Sequence, residues 1–333
     1  MLISTVLSEQ KPQLVLIPLS IALLAVAPAY VSSRMLISLI TFLMYATLTL
    51  SWTMFSAPTN HISLATAGLF GVGVYTSAVL RGSVPIELIV IAGGLIAFAL
   101  ALAIGLLTLR LRGVYFILFT FGVTALIRNM VQWWETHITG TVGRSVAGAT
   151  NETVYLLAMI IFSVTLIGLF LLRNSSFGLA LQGIGDNQDA AEHLGVDVTR
   201  VKVLVFASSA FLMGAMGAVM ATRWRYVDPS IAFNPLHSFL PVVMAIFGGT
   251  ARLYGPIVGT LALFILRDYL ITEHPYVYML IFGVILVVVV LWLPGGLVSQ
   301  IEKAIFRVKV WWIKTRMWIS RQRRLIGVRR AQR

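Results

Sequence analysis

Apolar stretches, most of them about as long as a bilayer-crossing helix, recur along nearly the whole chain and narrow its possible folds more than any motif. They run over residues 14–30, 35–55, 62–80, 84–109, 114–131 and 154–172, and resume over 203–221, 239–247, 255–270 and 276–293. A hydrocarbon core of roughly 30 Å is crossed by about 20 helical residues. The pattern therefore predicts an all-α, polytopic inner-membrane bundle of about 8–10 transmembrane segments. Only 11% of the residues are charged and the mean hydropathy is +0.92, where a soluble domain carries about a quarter. Strict apolar–polar alternation is missing, so the chain does not read as a membrane β-barrel.

Two of the stretches do not read as plain spans. Residues 62–80 contain Gly68, Gly71 and Gly73, and residues 239–270 are interrupted at 248–256 by Gly248, Gly249, Gly255 and Pro256. The second reads as two short helices or a re-entrant hairpin. Irregular backbone at membrane depth survives only where protein or a water-filled cavity satisfies it. One break in each half points to an internal repeat around a central pathway. Asn60, His61, Ser63 and Thr66 then either line a polar pathway or hydrogen-bond between helices. Gly71, Gly73, Gly248 and Gly249 either permit backbone breaks beside a solute or let helices pack closely.

Charge sets the expected orientation. Eleven basic residues lie between Lys303 and Arg333, after Glu302, the last acid. A basic tail directly after a membrane span suits anionic lipid headgroups better than nucleic acid. With an even number of spans, it places both termini in the cytoplasm. The chain divides accordingly into a membrane domain, 1–301, and a basic tail, 302–333, in which Trp311, Trp312 and Trp318 suit an interfacial segment. Glu9 and Lys11 precede the first apolar run, which is followed at once by another, so the start does not read as a signal peptide. The longest polar segment on the cytoplasmic side is 173–202. It holds Asp186, Asp189, Glu192 and Asp197, a third of the chain's twelve acids. Within it 189–194 reads as a helix, with Asp186 or Asn187 as cap and Gly195 as stop. Segment 132–152 faces outward, its Trp133 and Trp134 suiting an interfacial belt.

Several chemistries are missing. A P-loop needs lysine directly after glycine; none of the five lysines (Lys11, Lys202, Lys303, Lys309 and Lys314) follows one. The five histidines (His61, His137, His193, His237 and His274) are scattered, and there is no cysteine, so no metal site is expected. Carboxylates stay out of the span centres: Glu87 sits near an entrance and Asp268 near an exit, beside Arg267 as an interfacial ion pair. A proton relay is therefore not expected. The energy source belongs on another polypeptide.

With that in place, four stretches carry a resemblance. Ser176-Phe177-Gly178-Leu179-Ala180-Leu181, then Asn187, Ala190-Ala191, Leu194-Gly195-Val196, Val198 and Lys202 resemble the coupling segment of the branched-chain amino-acid ABC importer permeases, LivM-like subunits above all. Ser63-Leu64 to Ala67, with Phe70-Gly71-Val72-Gly73 and Tyr75, resembles that family's glycine-rich segment. Arg112-Gly113-Val114-Tyr115-Phe116 resembles its arginine-glycine-tyrosine turn. Gly248-Gly249 with Tyr254-Gly255-Pro256 and Gly259 resembles its glycine-proline break. The likeness runs in order from about Asn60 to Gly296. Gln182, Gly183, Gly185, Asn60, His61, Ala65 and Thr66 depart from the usual residues. Since glycine costs a helix roughly 1 kcal/mol relative to alanine, the coupling helix is expected to start late, near Asp186.

The resemblance implies a permease paired with a second, homologous permease. It implies two cytoplasmic ATPase subunits, which hold ATP and magnesium while this chain binds no cofactor, and an extracytoplasmic solute-binding protein. Gly185, Asp186, Asn187, Ala190, Ala191, Glu192, Leu194 and Gly195 would form the ATPase-docking segment. Asn60, His61, Ser63, Thr66, Gly71, Gly73, Tyr75, Gly248 and Gly249 are the pathway candidates. The row Ala210, Gly214, Ala218 would let a neighbouring helix approach. The expected protein is a non-enzymatic importer subunit for branched-chain amino acids in a bacterial or archaeal cytoplasmic membrane. Import of urea, short amides or another small polar metabolite is the alternative, followed by a stand-alone ion-coupled carrier or channel and by an assembly scaffold.

Overall fold

The computed structural model describes residues 31–273 except Arg81, Arg110 and Arg112. It also describes Leu24, Pro28, Tyr30, Val277, Leu280, Ile281, Gly283, Val284, Val287 and residues 296–300. The expected spans at 14–30 and 276–293 lie almost wholly outside these residues. The basic tail lies wholly outside them, as does Arg112 of the arginine-glycine-tyrosine turn.

The fold is a polytopic helical bundle. Among the described residues its helices include α1 (Ser33–Thr59), α2 (Thr66–Leu80), α3 (Ile86–Thr108), α4 (Val114–Trp134), α5 (Asn151–Arg173), α6 (Ser176–Asp186), α7 (Gln188–His193), α8 (Val198–Trp224), α9 (Pro229–Ala232), α10 (Leu236–Gly248) and α11 (Gly255–Glu273). Among the described residues seven helical stretches are long and apolar enough to cross a membrane, with α9 and α10 counted together and α4 extended by a π-helical turn, Glu135–Thr139. The glycine-bearing α2 is shorter. An end where α1, α5 and α10 finish and α4, α8 and α11 begin is called here the loop end, because α6 and α7 lie there.

Helix α8 forms the axis. Apolar on all sides, as a helix surrounded by others must be, it packs against α3, α2, α1 and α5. Lipid is as apolar as leucine, so helices associate in it mainly through close packing of small residues. The row Ala210, Gly214, Ala218 serves that purpose. A Cβ on Gly214 would strike Ala97 and the Gly93 carbonyl, one on Gly73 would strike the Gly214 backbone, and Ala218 lies against Gly93. Three helix backbones thus meet where no side chain fits. Gly214→Leu is expected to destabilise the protein by about 3 kcal/mol or more, as overpacking against backbone does, and a thermal unfolding curve in detergent checks it.

At the far end, the strands β1 (Arg144–Ser145) and β2 (Tyr226–Val227) pair antiparallel and pin the 140–150 segment to the exit of α8. Glu135 is fully buried, accepts from the Gly143 N–H at 2.9 Å and faces Arg144 at 3.5 Å, whose guanidinium lies 4.5 Å from the Trp134 ring centroid. Asp228 caps α9 by accepting from the Ser230 and Ile231 N–H groups. Arg267 lies 5.3 Å from the Tyr45 ring centroid, and the expected pair with Asp268 is not formed.

The break at 248–256 is two helices, as one of the two readings had it, but its depth corrects the expectation. The 249–254 turn is held by Arg173 at the terminus of α5, which donates to Thr250 O at 2.7 Å and Ala251 O at 3.3 Å. It therefore sits at the loop end rather than within the bundle. Its glycines are packing residues: Gly248 lies against Gly255 and Gly259, while Gly249, at φ +94°, lies against Gly255 and Gly296. The interior break on that side falls instead between α9 and α10, where Asn234 accepts from the Leu236 N–H at 3.0 Å and Pro235 starts the next helix.

Candidate functional site

The chain leaves α1 in the left-handed conformation at Asn60 (φ 54°) and runs without regular secondary structure through 61–65 before α2 begins. It passes from a half-buried His61 and an exposed Ile62 to buried Ser63, Leu64 and Ala65, and so enters the bundle. There every unpaired backbone group is expensive, and side chains from three helices supply the partners. Ser56 Oγ of α1 accepts from Ser63 N at 3.4 Å, and Trp52 Nε1 donates to Ser63 O at 2.9 Å. Thr120 Oγ1 of α4 accepts from Leu64 N at 3.0 Å, while Thr124 Oγ1 lies 3.3 Å from Leu64 O. Ser238 Oγ of α10 donates to Leu64 O at 2.7 Å and accepts from Ala67 N at 3.0 Å. Thr66 Oγ1 is buried without a partner and borders a cavity of about 10 Å³ with Ser63, Ser56 and Ser209.

At the loop end the polar segment is two helices: the expected late-starting one is α7, and a further helix, α6, stands before it. Ser175 Oγ caps α6 by accepting from Gly178 N at 3.2 Å, so helix also forms over the ten residues before Asp186. The glycines earn this by contact: a Cβ on Gly178 would strike Leu172 O, and one on Gly185 would strike Pro58 O. Extended backbone at Asn187 (φ −157°) ends α6, and its Oδ1 accepts from Ala190 N at 3.1 Å to open α7. The expected cap and stop are both present, Gly195 standing at φ +87°. Helix α7 presents Asp189, Ala190, Glu192 and His193 outward, and Leu194 after it is 85% exposed. Ala191 is turned inward and buried.

The two regions are joined by side chains. Asn60 Nδ2 donates to Gly185 O at 3.1 Å. Lys202 of α8, fully buried, donates to Gln188 Oε1 of α7 at 2.8 Å and lies 3.3 Å from His61 Nε2. His61 Nδ1 is 2.6 Å from Thr59 O, a carbonyl that only accepts. The network therefore assigns the proton to Nδ1 and leaves Nε2 to accept from the lysine. The His61 ring meets Phe116 edge-on at 5.5 Å.

The pathway candidates thus divide. Ser63 and Thr66 lie in the interior break; Asn60 and His61 belong to the joint with the coupling segment. Gly71 packs on Phe233 and Ala232, and Gly73 on α8. Tyr75 stacks on Phe233 toward the far end, ring centroids 5.7 Å apart. Gly248 and Gly249 lie in the loop-end turn. Sequence reasoning did not single out Trp52, Ser56, Thr120, Thr124, Gln188 or Ser238, and gave Lys202 only as a residue of the coupling-segment resemblance. Two signals were available: Trp52 with Ser56, and Thr120 with Thr124, are spaced four apart and share a helix face.

Residues 34–290 match the family described as branched-chain amino acid transport system / permease component. The chain is similar to the high-affinity branched-chain amino acid transport system permease protein LivM of Salmonella typhimurium, at 24% identity over 318 residues, covering 85% of this chain and 74% of that protein. Against the protein of the same name from Escherichia coli the identity is 24% over 335 residues, covering 88% and 76%. The xylose transport system permease protein XylH of Haemophilus influenzae aligns at 30% identity over 107 residues, 31% of this chain and 28% of its own length. No solved structure matches.

Proposed function

Because the chain belongs to the branched-chain amino acid transport system permease component family, we propose that it is the membrane subunit of an ATP-driven importer for branched-chain amino acids. Two separate ATPases, holding ATP and magnesium, drive it; a second, homologous permease completes the pathway; a solute-binding protein delivers the substrate. The chain crosses a cytoplasmic membrane many times, with the loop end and the basic tail on the cytoplasmic side.

One observation carries this reading. A short helix, α7, stands at the end of the bundle with an exposed Leu194 between acidic residues, and its underside is bonded to the interior break through Lys202 and His61. An exposed apolar residue with Glu192 before it and Asp197 after it suits a protein groove rather than lipid. Force applied there reaches His61 through the side chain of Lys202, in the first turns of α8. Ser63 and Thr66 then line the moving part of the pathway, and the chain itself performs no covalent chemistry.

The test is a pull-down of the tagged chain from its native cells in mild detergent. Two ATPases and a second permease are expected in the eluate. Leu194→Asp with Ala190→Arg is expected to reduce ATPase recovery about tenfold or more, the effect of removing an apolar anchor from an interface. Recovery of the chain alone, still transporting after ATP depletion, sinks the reading in favour of an ion-coupled carrier. The match to a xylose permease over a third of the chain supports a second reading of the substrate as a small polar metabolite, which the ligand of the co-purified binding protein decides.

A further inference from the structure

Of the spanning stretches among the described residues, α4 is the one least covered by the rest of the chain. Its inner face holds the interior break through Thr120 and Thr124. Its outer face is a line of exposed residues at alternating spacings of three and four: Tyr115, Leu118, Gly122, Ala125, Asn129 and Gln132. That spacing keeps one side of a helix turned toward a neighbouring helix along its whole length, as in left-handed membrane bundles.

This face is not built for lipid. The exposed face of α5 shows what lipid contact looks like in the same chain: Leu156, Ile160, Val164, Ile167 and Leu171. The outer face of α4 carries two amides instead. Asn129 lies fifteen residues after Val114, about 22 Å along a helix, and so falls within a hydrocarbon core of roughly 30 Å. Neither Asn129 nor Gln132 makes a side-chain hydrogen bond among the described residues. An amide left in hydrocarbon keeps the cost of its lost hydration, whereas one facing another helix recovers it as a bond across the interface. Gly122 is a separate observation with the same direction. A Cβ there would meet nothing, unlike one on Gly73 or Gly214, which would strike backbone. Glycine weakens a helix interior, and inside this chain Gly122 gains nothing in return; a second helix in close approach supplies the return. Proteins outside the membrane do not reach this depth, so the partner is itself a membrane protein. We propose that the second permease packs on the outer face of α4. Its facing helix carries small residues opposite Gly122 and Ala125 and a hydrogen-bonding side chain opposite Asn129. That a second permease exists rests on the importer reading above; its seat on α4 follows from the amides and the glycine. Helix α4 is then a wall common to the interior break and the pair, so a shift of Leu64 against Thr120 and Thr124 reaches the partner through one helix.

The experiment purifies the intact complex from its native cells in mild detergent and reads the recovery of the second permease by mass spectrometry. Gly122→Leu, which builds on a Cβ that meets nothing in this chain, is expected to lower that recovery about tenfold or more, as overpacking at an interface does. The melting curve of the full chain purified alone is expected to stay where it was. Asn129→Leu is expected to lower recovery about threefold to tenfold, the loss of one bond between spanning helices, and Asn129→Gln, which keeps the amide, to restore part of it. A photo-cross-linking benzoylphenylalanine replaces Leu118, Leu126 or, as a control, the α5 residue Val164. Irradiation is expected to join the chain to the second permease from the two α4 positions and not from the control. Recovery unchanged in both leucine variants overturns the proposal. So does irradiation at Leu118 and Leu126 that joins only lipid, an ATPase or another segment of the same chain. Absence of any second permease from the unaltered complex fails the importer reading and this proposal with it. A second permease recovered equally with Gly122→Leu and Asn129→Leu fails the seat on α4 alone.

Discussion

Lys202→Met should leave the complex assembled and hydrolysing ATP while solute moved per ATP falls about tenfold to a hundredfold. The expectation comes from where the ammonium sits. Fully buried on α8, it is the bond between Gln188 of α7 and His61 at the head of the interior break. Hydrogen bonds to a charged group contribute about 1.5–3 kcal/mol, and each 1.4 kcal/mol is about a factor of ten in an equilibrium. Methionine keeps the aliphatic volume and removes the cost of burying a charge, so stability should change little, as when buried ionic groups give way to apolar ones. Lys202→Arg, which retains a donor, should restore part of the transport. The measurement is uptake and phosphate release in the same proteoliposomes. Loss of both in proportion would mean that Lys202 only holds the fold together.

Ser238→Ala should lower stability by about 2–4 kcal/mol and abolish uptake. One hydroxyl serves two backbone groups of a distant segment, donating to Leu64 O and accepting from Ala67 N. A buried polar group left without a partner costs about 1–3 kcal/mol. The lower part of the range applies at Leu64 O, because Thr124 Oγ1 remains 3.3 Å away. Thermal unfolding in detergent reads the stability, and Ser238→Thr, which keeps the hydroxyl, should recover part of it. An unaltered melting curve for the alanine variant would show that 61–65 does not depend on α10.

The spans were legible because a bilayer imposes length and composition together. The runs at 35–55, 84–109, 154–172 and 203–221 correspond to α1, α3, α5 and α8. The cap at Asn187 and the stop at Gly195 were legible because capping is local chemistry. Depth was not. Asn60, His61, Ser63 and Thr66 are neighbours in sequence, but the first two meet Gly185 and Lys202 at the loop end while Ser63 and Thr66 are buried among the helices. The 249–254 turn looked like an interior break until Arg173, 77 residues upstream of Thr250, placed it at the surface. Ser238 meets Leu64 across 174 residues through a backbone carbonyl, an acceptor that every residue carries and no sequence pattern marks. The inward turn of Ala191 belongs to the same class, since a helix of six residues has no periodicity long enough to reveal its buried face.

The five residues at 61–65 are held differently from the rest of the membrane domain. A helical carbonyl is bonded to its own turn, and freeing it means unwinding. Here, beside the fixed indole N–H of Trp52 on Ser63 O, the partners are hydroxyls of Ser56, Thr120, Thr124 and Ser238, each a single-bond rotor that can release one backbone group and take another by turning in place. The segment can therefore slip by a fraction of a residue through exchange of partners, one bond at a time, with the surrounding helices still intact. Serine and threonine at these four positions act as bearings, and substitutions that keep the hydroxyl but restrict its rotation should slow the transport cycle without weakening the bundle.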